Sequence, residues 1–482
     1  MAPSAIDIRS PFQQEFVDPN DLRMTFSLAM SAMYKKEVPL YGDLIKIVQS
    51  VNDETLKKST DPKITAMRNG DLASERLEFE RHGAIRLGTP HELQTVRRIF
   101  AVIGMYPVGY YDLSPAGLPM HATCFRPTTP AALSRNPFRV FTTLLRPDLL
   151  KDAQSKDLAL ELLTKRNIFS PELIELLNVA ERQNYRLRPI EASTFVRESM
   201  KTFGWRPIAA ASKDVYRKLK DEHPILADVA CFQSAHINHL TPRTLDIAAA
   251  QERMRMEGLR VKERIEGPPP RMCPVLLRQT SFLALEESTH FPGEGGLEEG
   301  CHKARFGEIE ERGAAVTERG RFLYDELLNE AMRQISACPR SVDTSQKDKI
   351  LFNTFARFPD DWDELRRQAL VYFDYYLGAS AKGATIPPSP SVEDLVARGV
   401  LAAVPITYED FLPMSAAGIF QSNLGNDTKI IDGAATSFPD HFGFQQALGC
   451  AVADLDTVYA MAQDASLRRC ALELGMAEDA LL

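Results

Sequence analysis

The chain has 482 residues, 44% of them hydrophobic and 25% charged, enough apolar material for a large core and an ordinary globular balance of charge. Its 57 basic and 65 acidic residues leave a net charge of −8, which argues against a general nucleic-acid or membrane-surface binder. Seven scattered cysteines without a C-x-x-C pair argue against a zinc ribbon or an iron–sulfur site and fit free thiols in a reducing cytoplasm.

The N-terminus carries Asp7, Glu15, Asp18 and Asp21, which makes it a poor secretory or mitochondrial leader. No apolar run approaches the roughly 18–20 residues of a membrane span, so a cytoplasmic protein is expected. Leu22, Phe26, Met30 and Met33 recur near the helical period and read as core packing, and a second amphipathic helix runs from Tyr41 to about Lys58. Phe79–Leu87 reads as a strand. Thr89 then caps a helix with Pro90 at its first position, running to about Ile103 with Gly104 as a stop signal. Strand-like pieces around Pro107–Leu113 and Ala122–Arg126 make this a β-α-β-β-type module.

Residues 140–230 read as mostly helical, with Ser170-Pro171-Glu172 as one start signal. Residues 231–315 repeat the earlier order: a strand ending in His239, a helix from about Pro242, then strands near Val275–Leu285 and Lys303–Glu311. Gly267–Pro270 and Gly293–Gly296 mark loops, and the second lacks the Lys-Ser/Thr of a phosphate cradle. Thr317–Ala337 and Asp360–Leu377 read as helices. Ile386–Ser391 reads as a linker whose Ser391 caps the next helix, Val404–Asn423 as strand-like with a polar loop, and Asp440–Leu482 as a helical tail. The expected fold class is α+β. The expected division is an N-terminal helical segment (1–75), a first half (76–135), a helical insert (136–230), a second half (231–315) and a C-terminal part (316–482), together one compact unit.

Three segments carry metal-ligand chemistry: Arg81–Gly88, Ala235–Arg243 and Ala304–Gly313. Two histidines and one carboxylate, each from a separate strand, are what a non-haem Fe(II) centre with open positions requires. His82 and Arg86 share one face of a strand, about 13 Å apart along its axis. A guanidinium there can lean back and grip a distal carboxylate through its fork; the plainer reading is a buried histidine and a salt-bridging arginine. His236 and His239 point to opposite faces if extended, so one is a ligand, and the break at Thr241-Pro242 favours His239. Glu308 and Glu310 share a face that periodicity does not resolve, while Glu311 falls on the other, as a solvated strand face would have it. His121 and Arg126 are candidates for a pocket wall, set against ordinary packing. His91, His223, His290, His302 and His441 lie in helix-start, loop-like or polar surroundings and receive no site role. No G-x-S-x-G elbow, H-E-x-x-H helix or cysteine with a motif-placed histidine is present.

The segments His82–Gly88, His236–Ile247, Phe306–Gly313 and Phe411–Asn423 resemble, in the same order, the 2-oxoadipate dioxygenase/decarboxylase family, and the likeness runs from about residue 24 to residue 460. The resemblance implies a core similar to the vicinal-oxygen-chelate fold, with βαβββ-type modules elaborated by many helices, and a place in lysine catabolism. It implies Fe(II) held by His82, His239 and Glu308. A more distant likeness of Phe306–Arg312 to the iron-binding strand of hydroxyphenylpyruvate dioxygenases also singles out Glu308. It further implies that Arg86 binds the far carboxylate of the substrate and that backbone near Met414 and Ser415 closes over it. His236 and Arg243 are then orienting partners of the ligands. Met414 departs from the pattern, since a smaller Val is expected there. The implied reaction consumes O2 and converts 2-oxoadipate, a small 2-oxo dicarboxylate, to 2-hydroxyglutarate and CO2. The alternative is another metal-dependent enzyme on the same scaffold: an oxygenase of a different 2-oxo acid, an isomerase or a lyase. The intact set of His82, His239, Glu308 and Arg86 counts against a pure binding protein.

Overall fold

β1 (Arg81–Leu87) is the strand around which the molecule is built. In this computed structural model the described residues are 16–59, 76–303, 305–339, 343–387, 390–412 and 438–482. After β1 come the helix Pro90–Val102, β2 (Tyr106–Asp112), β3 (Met120–Arg126) and β4 (Arg139–Leu145). β4 lies parallel to β1 and antiparallel to β3, which is antiparallel to β2. This is a complete βαβββ module. The other edge of β1 takes β5 (Leu240–Pro242), antiparallel, in a five-stranded sheet of order β2-β3-β4-β1-β5.

The second module also opens with a strand and a helix but carries four strands after them: β5, the helix Ile247–Met256, β6 (Leu277–Ser281), a hairpin of β7 (Glu287–Gly293) and β8 (Gly296–His302), and β9 (Glu308–Arg312). β9 pairs with β6, and a parallel bridge between Arg243 and Glu310 ties it to the end of β5. The two modules thus meet edge to edge at β1, β5 and β9, the strands expected to carry the ligands.

Both faces of the first sheet are covered. Ile85, Leu87, Val140 and Leu144 face a core built with the helices Pro19–Glu37, Pro90–Val102, Pro171–Arg182 and Pro189–Phe203. Met120, Ala122, Cys124, Phe141 and Leu145 face a second core with the helices Ala153–Lys165, Lys213–Glu222 and Pro224–Cys231. By alternation His82, Ala84 and Arg86 lie on this second face. The third core packs the helix Glu318–Ala337 and the helix Leu455–Glu473 on a two-stranded sheet of β10 (Phe373–Leu377) and β11 (Leu401–Pro405).

Local start signals act as the sequence suggests. The hydroxyls of Thr89, Ser170, Thr317 and Ser391 each accept the backbone N–H three residues on, and Gly104 stops its helix with φ +67°. Five stretches differ from expectation. β4 lies where helix was expected, because a strand buried on both faces shows no alternation. The strand expected to end in His239 begins at Leu240, and the next helix starts at Ile247 because Asp246, not Pro242, provides its cap. The glycines at 293–296 turn the β7–β8 hairpin, whose strands were not anticipated. Asp360–Leu377 is helical only over Trp362–Arg367: Ala369 turns left-handed (φ +49°), and Phe373 onward is β10. The tail is two helices, broken at Gly449 with φ +75°. Among the described residues no helix is long and apolar enough to cross a membrane.

Candidate metal centre

His82 on β1, His239 immediately before β5 and Glu308 at the start of β9 converge, each offering a ligand atom within 4.8 Å of the others. All three are buried. His82 Nε2 lies 3.1 Å from Glu308 Oε1, and His239 Nε2 lies 3.7 Å from the same oxygen. The rings of His82 and His239 meet edge to face at 5.4 Å. Phe411 packs against His82 at 5.0 Å and Phe306 against His239 at 4.8 Å, which keeps the pair out of bulk water.

Backbone hydrogen bonds lash the three segments together. Asn238 N donates to Ala84 O (2.9 Å), and Phe306 N donates to Asn238 O (3.1 Å). The Tyr34 hydroxyl contacts both Asn238 O (3.0 Å) and Phe306 O (2.7 Å) from the first helix. A residue within two positions of each of His82, His239 and Glu308 is therefore held by the same lattice. Two glycines make the approach possible: a Cβ on Gly83 would meet Ile237 Cδ1 at 2.4 Å, and one on Gly307 would meet the Phe282 ring at 2.0 Å.

The electrostatics suit a cation. Burial pushes the His239 imidazolium down to about 4, so the ring is neutral near pH 7 and able to ligate. Among the described residues neither ring nitrogen of His239 has a hydrogen-bond partner, although both are buried. Burial opposes charge on Glu308, yet His239, His82 and Lys262 hold its carboxyl below the usual value. Thr241 Oγ1 donates to Glu308 Oε1 at 3.0 Å. Two imidazoles and one carboxylate, with an orphaned ring between them, fit a divalent transition metal.

Glu310 lies on the same face but serves differently. Its Oε2 is 3.1 Å from His82 Nδ1, in ion-pair contact though not aligned as a hydrogen bond, and it accepts from Arg139 Nη2 at 2.6 Å. Arg312 Nε donates to its other oxygen at 2.9 Å. Burial works against the charge, but Arg139 and Arg312 keep Glu310 ionised. Carboxylates of this kind orient a ligating imidazole and raise its basicity. Glu311 is not a solvated residue: it accepts from Ile247 N at 2.9 Å, at the start of the Ile247–Met256 helix.

The remaining expected residues are placed as follows. Arg86 stands on the His82 face of β1, and its Nη1 donates to Asp228 Oδ2 at 2.6 Å. His236 turns away from the three ligands and lies 3.2 Å from Asp228 Oδ1. Arg243 pairs with Glu80 at 3.1 Å, one residue before β1, and does not touch a ligand. Met414 and Ser415 lie outside the described residues. His121 and Arg126 are apart from the centre: His121 packs on Phe444, and Arg126 forms a buried two-pronged pair with Asp410 at 2.7 and 2.8 Å. Sequence reasoning missed Asp228 and His302, which bond at 2.8 Å and make with His236 a second buried His/Asp group. Periodicity carried no signal for either, since His302 ends an unrecognised hairpin strand and Asp228 lies in an apolar helix. A surface cleft lined by Pro269, Arg278 and Glu311 lies on the opposite side of β9 and lacks such donors.

Comparison with known proteins gives the family. The family model described as 2-oxoadipate dioxygenase/decarboxylase matches residues 26–423. The chain is 47% identical over 455 residues to the 2-oxoadipate dioxygenase/decarboxylase of Escherichia coli (strain K12), covering 94% of this chain and 98% of the relative. It is 45% identical over 465 residues to that of Pseudomonas putida, covering 96% and 98%. The crystal structure of the hydroxyglutarate synthase in complex with 2-oxoadipate from Pseudomonas putida superposes with a TM-score of 0.85 at 43% identity, over 96% of this chain and 99% of that one. A family model that matches most of the chain and relatives that span nearly all of it lead to one conclusion: this chain belongs to the 2-oxoadipate dioxygenase/decarboxylase family.

Proposed function

We propose that His82, His239 and Glu308 hold Fe(II), and that the enzyme converts 2-oxoadipate and O2 to 2-hydroxyglutarate and CO2. The observation that carries the reading is His239, buried and neutral, with no hydrogen-bond partner on either ring nitrogen among the described residues, facing a carboxylate and a second imidazole. Fe(II) in such a set supplies a Lewis-acidic centre with open positions for a chelating 2-oxo acid and for O2. The atoms balance: the C1 carboxylate leaves as CO2, one oxygen atom completes a new carboxylate at the former keto carbon, and the other becomes the hydroxyl on its neighbour.

The chain's own residues bind, orient and exclude water. Arg86 grips the far carboxylate, so that the 2-oxo end lies toward His82 and His239. Phe306 and Phe411 keep the ligand set dry, and Glu310 holds His82 with its Nδ1 side toward a carboxylate. The segment around Met414 and Ser415 closes over the bound substrate, while His236 and Arg243 act at one remove from the ligands. The two modules and the flanking helices work as one unit, and the helix Pro224–Cys231 meets the site through the Asp228–Arg86 pair.

The test is product analysis by the Fe(II)-loaded protein. 2-Oxoadipate should yield 2-hydroxyglutarate and CO2 in equal amounts, and Arg86→Ala should raise KM for 2-oxoadipate by about 10–1000-fold, the loss of a charge-assisted contact of roughly 1.5–4 kcal/mol. Turnover of another 2-oxo acid in preference, or a non-oxidative product, would overturn the assignment.

A further inference from the structure

Arg86 is tied at its tip. Among the described residues its hydrogen-bond partner is Asp228, in the helix Pro224–Cys231 on the covering layer of the site. Asp228 is in turn immobilised through its other oxygen. His302 Nε2 lies 2.8 Å from Asp228 Oδ1, and His236 Nε2 lies 3.2 Å from it. The Tyr216 hydroxyl is 2.9 Å from His302 Nδ1, so with the phenol donating, His302 carries its proton on Nε2 and donates it to Asp228. Trp205 stacks on His302 (centroids 5.6 Å apart, planes 9° apart) and meets His236 edge-on at 4.8 Å, which fixes both rings.

The same three side chains satisfy the distance requirement of a second metal site. Charge decides against it. Asp228 is already neutralised by Arg86 at 2.6 Å, and a buried dication beside that guanidinium would have one shared carboxylate against three positive charges. Without a metal, the carboxylate accepts one guanidinium N–H and one imidazole N–H with a second imidazole close by, a fully used anion in a buried setting.

We infer that Asp228, held by His302 and His236, is a positioning residue that fixes the Arg86 guanidinium at one distance from His82, His239 and Glu308, and so sets the length of 2-oxo dicarboxylate the enzyme accepts. An arginine has four rotatable side-chain bonds and loses about 2 kcal/mol of rotamer freedom when ordered. An arginine already pinned on one edge has spent that entropy before the substrate arrives. A guanidinium offers five N–H donors, and Asp228 takes one. The inference rests on the reading of Arg86 as the carboxylate-binding residue.

The experiment compares Asp228→Asn, Arg86→Ala and the double variant in the Fe(II)-loaded enzyme. Each is measured for metal content, for kcat and KM with 2-oxoadipate, and for the inhibition constant of 2-oxohexanoate, which has the same chain but no far carboxylate. Asp228→Asn should raise KM for 2-oxoadipate about ten-fold with kcat changed less than about three-fold, leave inhibition by 2-oxohexanoate unchanged, and add less than two-fold on top of Arg86→Ala. Metal content should stay at one equivalent. If Arg86→Ala raises KM and Asp228→Asn does not, the positioning role is wrong while the substrate reading survives. If neither changes KM, the reading of Arg86 itself fails. Loss of a second metal equivalent in Asp228→Asn would overturn the inference in favour of a metal site. Should Asp228→Asn not fold, Tyr216→Phe removes the hydroxyl that sets the His302 tautomer. It should raise KM for 2-oxoadipate about two- to five-fold with inhibition by 2-oxohexanoate unmoved, and an unchanged KM there would equally refute the role.

Discussion

Among the described residues neither ring nitrogen of His239 finds a hydrogen-bond partner, although the residue is buried, an arrangement that costs free energy unless another partner is engaged. The metal proposed above would supply that partner. His223 shows the opposite case, a buried histidine whose need is met within the protein: its Nδ1 accepts from Ile225 N at 3.1 Å and caps the helix that carries Asp228. Burial, with the nearby Arg86 charge, pushes its imidazolium down to about 4. An unfolded histidine titrates near 6.5, so below that pH the unfolded chain binds the extra proton and the folded one resists it. The contribution of His223 is therefore full above about pH 6.5 and is lost as the pH falls toward 4. His223→Asn keeps a capping acceptor without the titration, so urea midpoints should show about 2 kcal/mol less loss between pH 7 and pH 4.5 than the parent. An identical pH profile in the two proteins would contradict this.

At the scale of elements, the segments that carry His239 and Glu308 share one tyrosine on the first helix as a tie. The Tyr34 hydroxyl reaches Asn238 O and Phe306 O, one residue from His239 and two from Glu308. Tyr34→Phe should cost about 1–2 kcal/mol of stability and weaken metal retention by about ten-fold, read by metal content against a chelator series. Unchanged retention would mean the backbone lattice alone holds the segments. What could be read in the sequence follows the same divide between local and distant causes. Helix caps at Thr89, Ser170 and Ser391 are local chemistry and were legible, as was the shared face of Glu308 and Glu310. β4 was not, because burial on both faces erases alternation. Nor was the hairpin ending in His302, because most of β8 is exposed and shows no apolar alternation. The separation of Glu308 from Glu310 depends on which partners the other strands present, Arg139 among them, and no spacing within Phe306–Gly313 encodes that.

Across the molecule, the two modules and the C-terminal layer are joined beneath the centre by buried ion pairs. Glu310 binds Arg139 and Arg312, Arg312 reaches Glu409, Arg76 links Glu409 to Glu80, and Glu80 closes on Arg243. Removing one member of such a web leaves a buried charge unpaired, which is why these residues define the arrangement more than they add to stability. The web and the backbone lattice together hold β1, β5 and β9 where two imidazoles and one carboxylate converge, and all of the proposed chemistry depends on that convergence. Oxygen uptake on 2-oxoadipate by the metal-stripped protein reloaded with Fe(II) under argon, run beside a His239→Ala variant, tests it most directly. The account predicts one CO2 released per O2 consumed in the parent, and no bound iron and no uptake in the variant with its fold retained. Normal turnover by His239→Ala, or iron-loaded parent protein that takes up no oxygen with any 2-oxo acid, would contradict it.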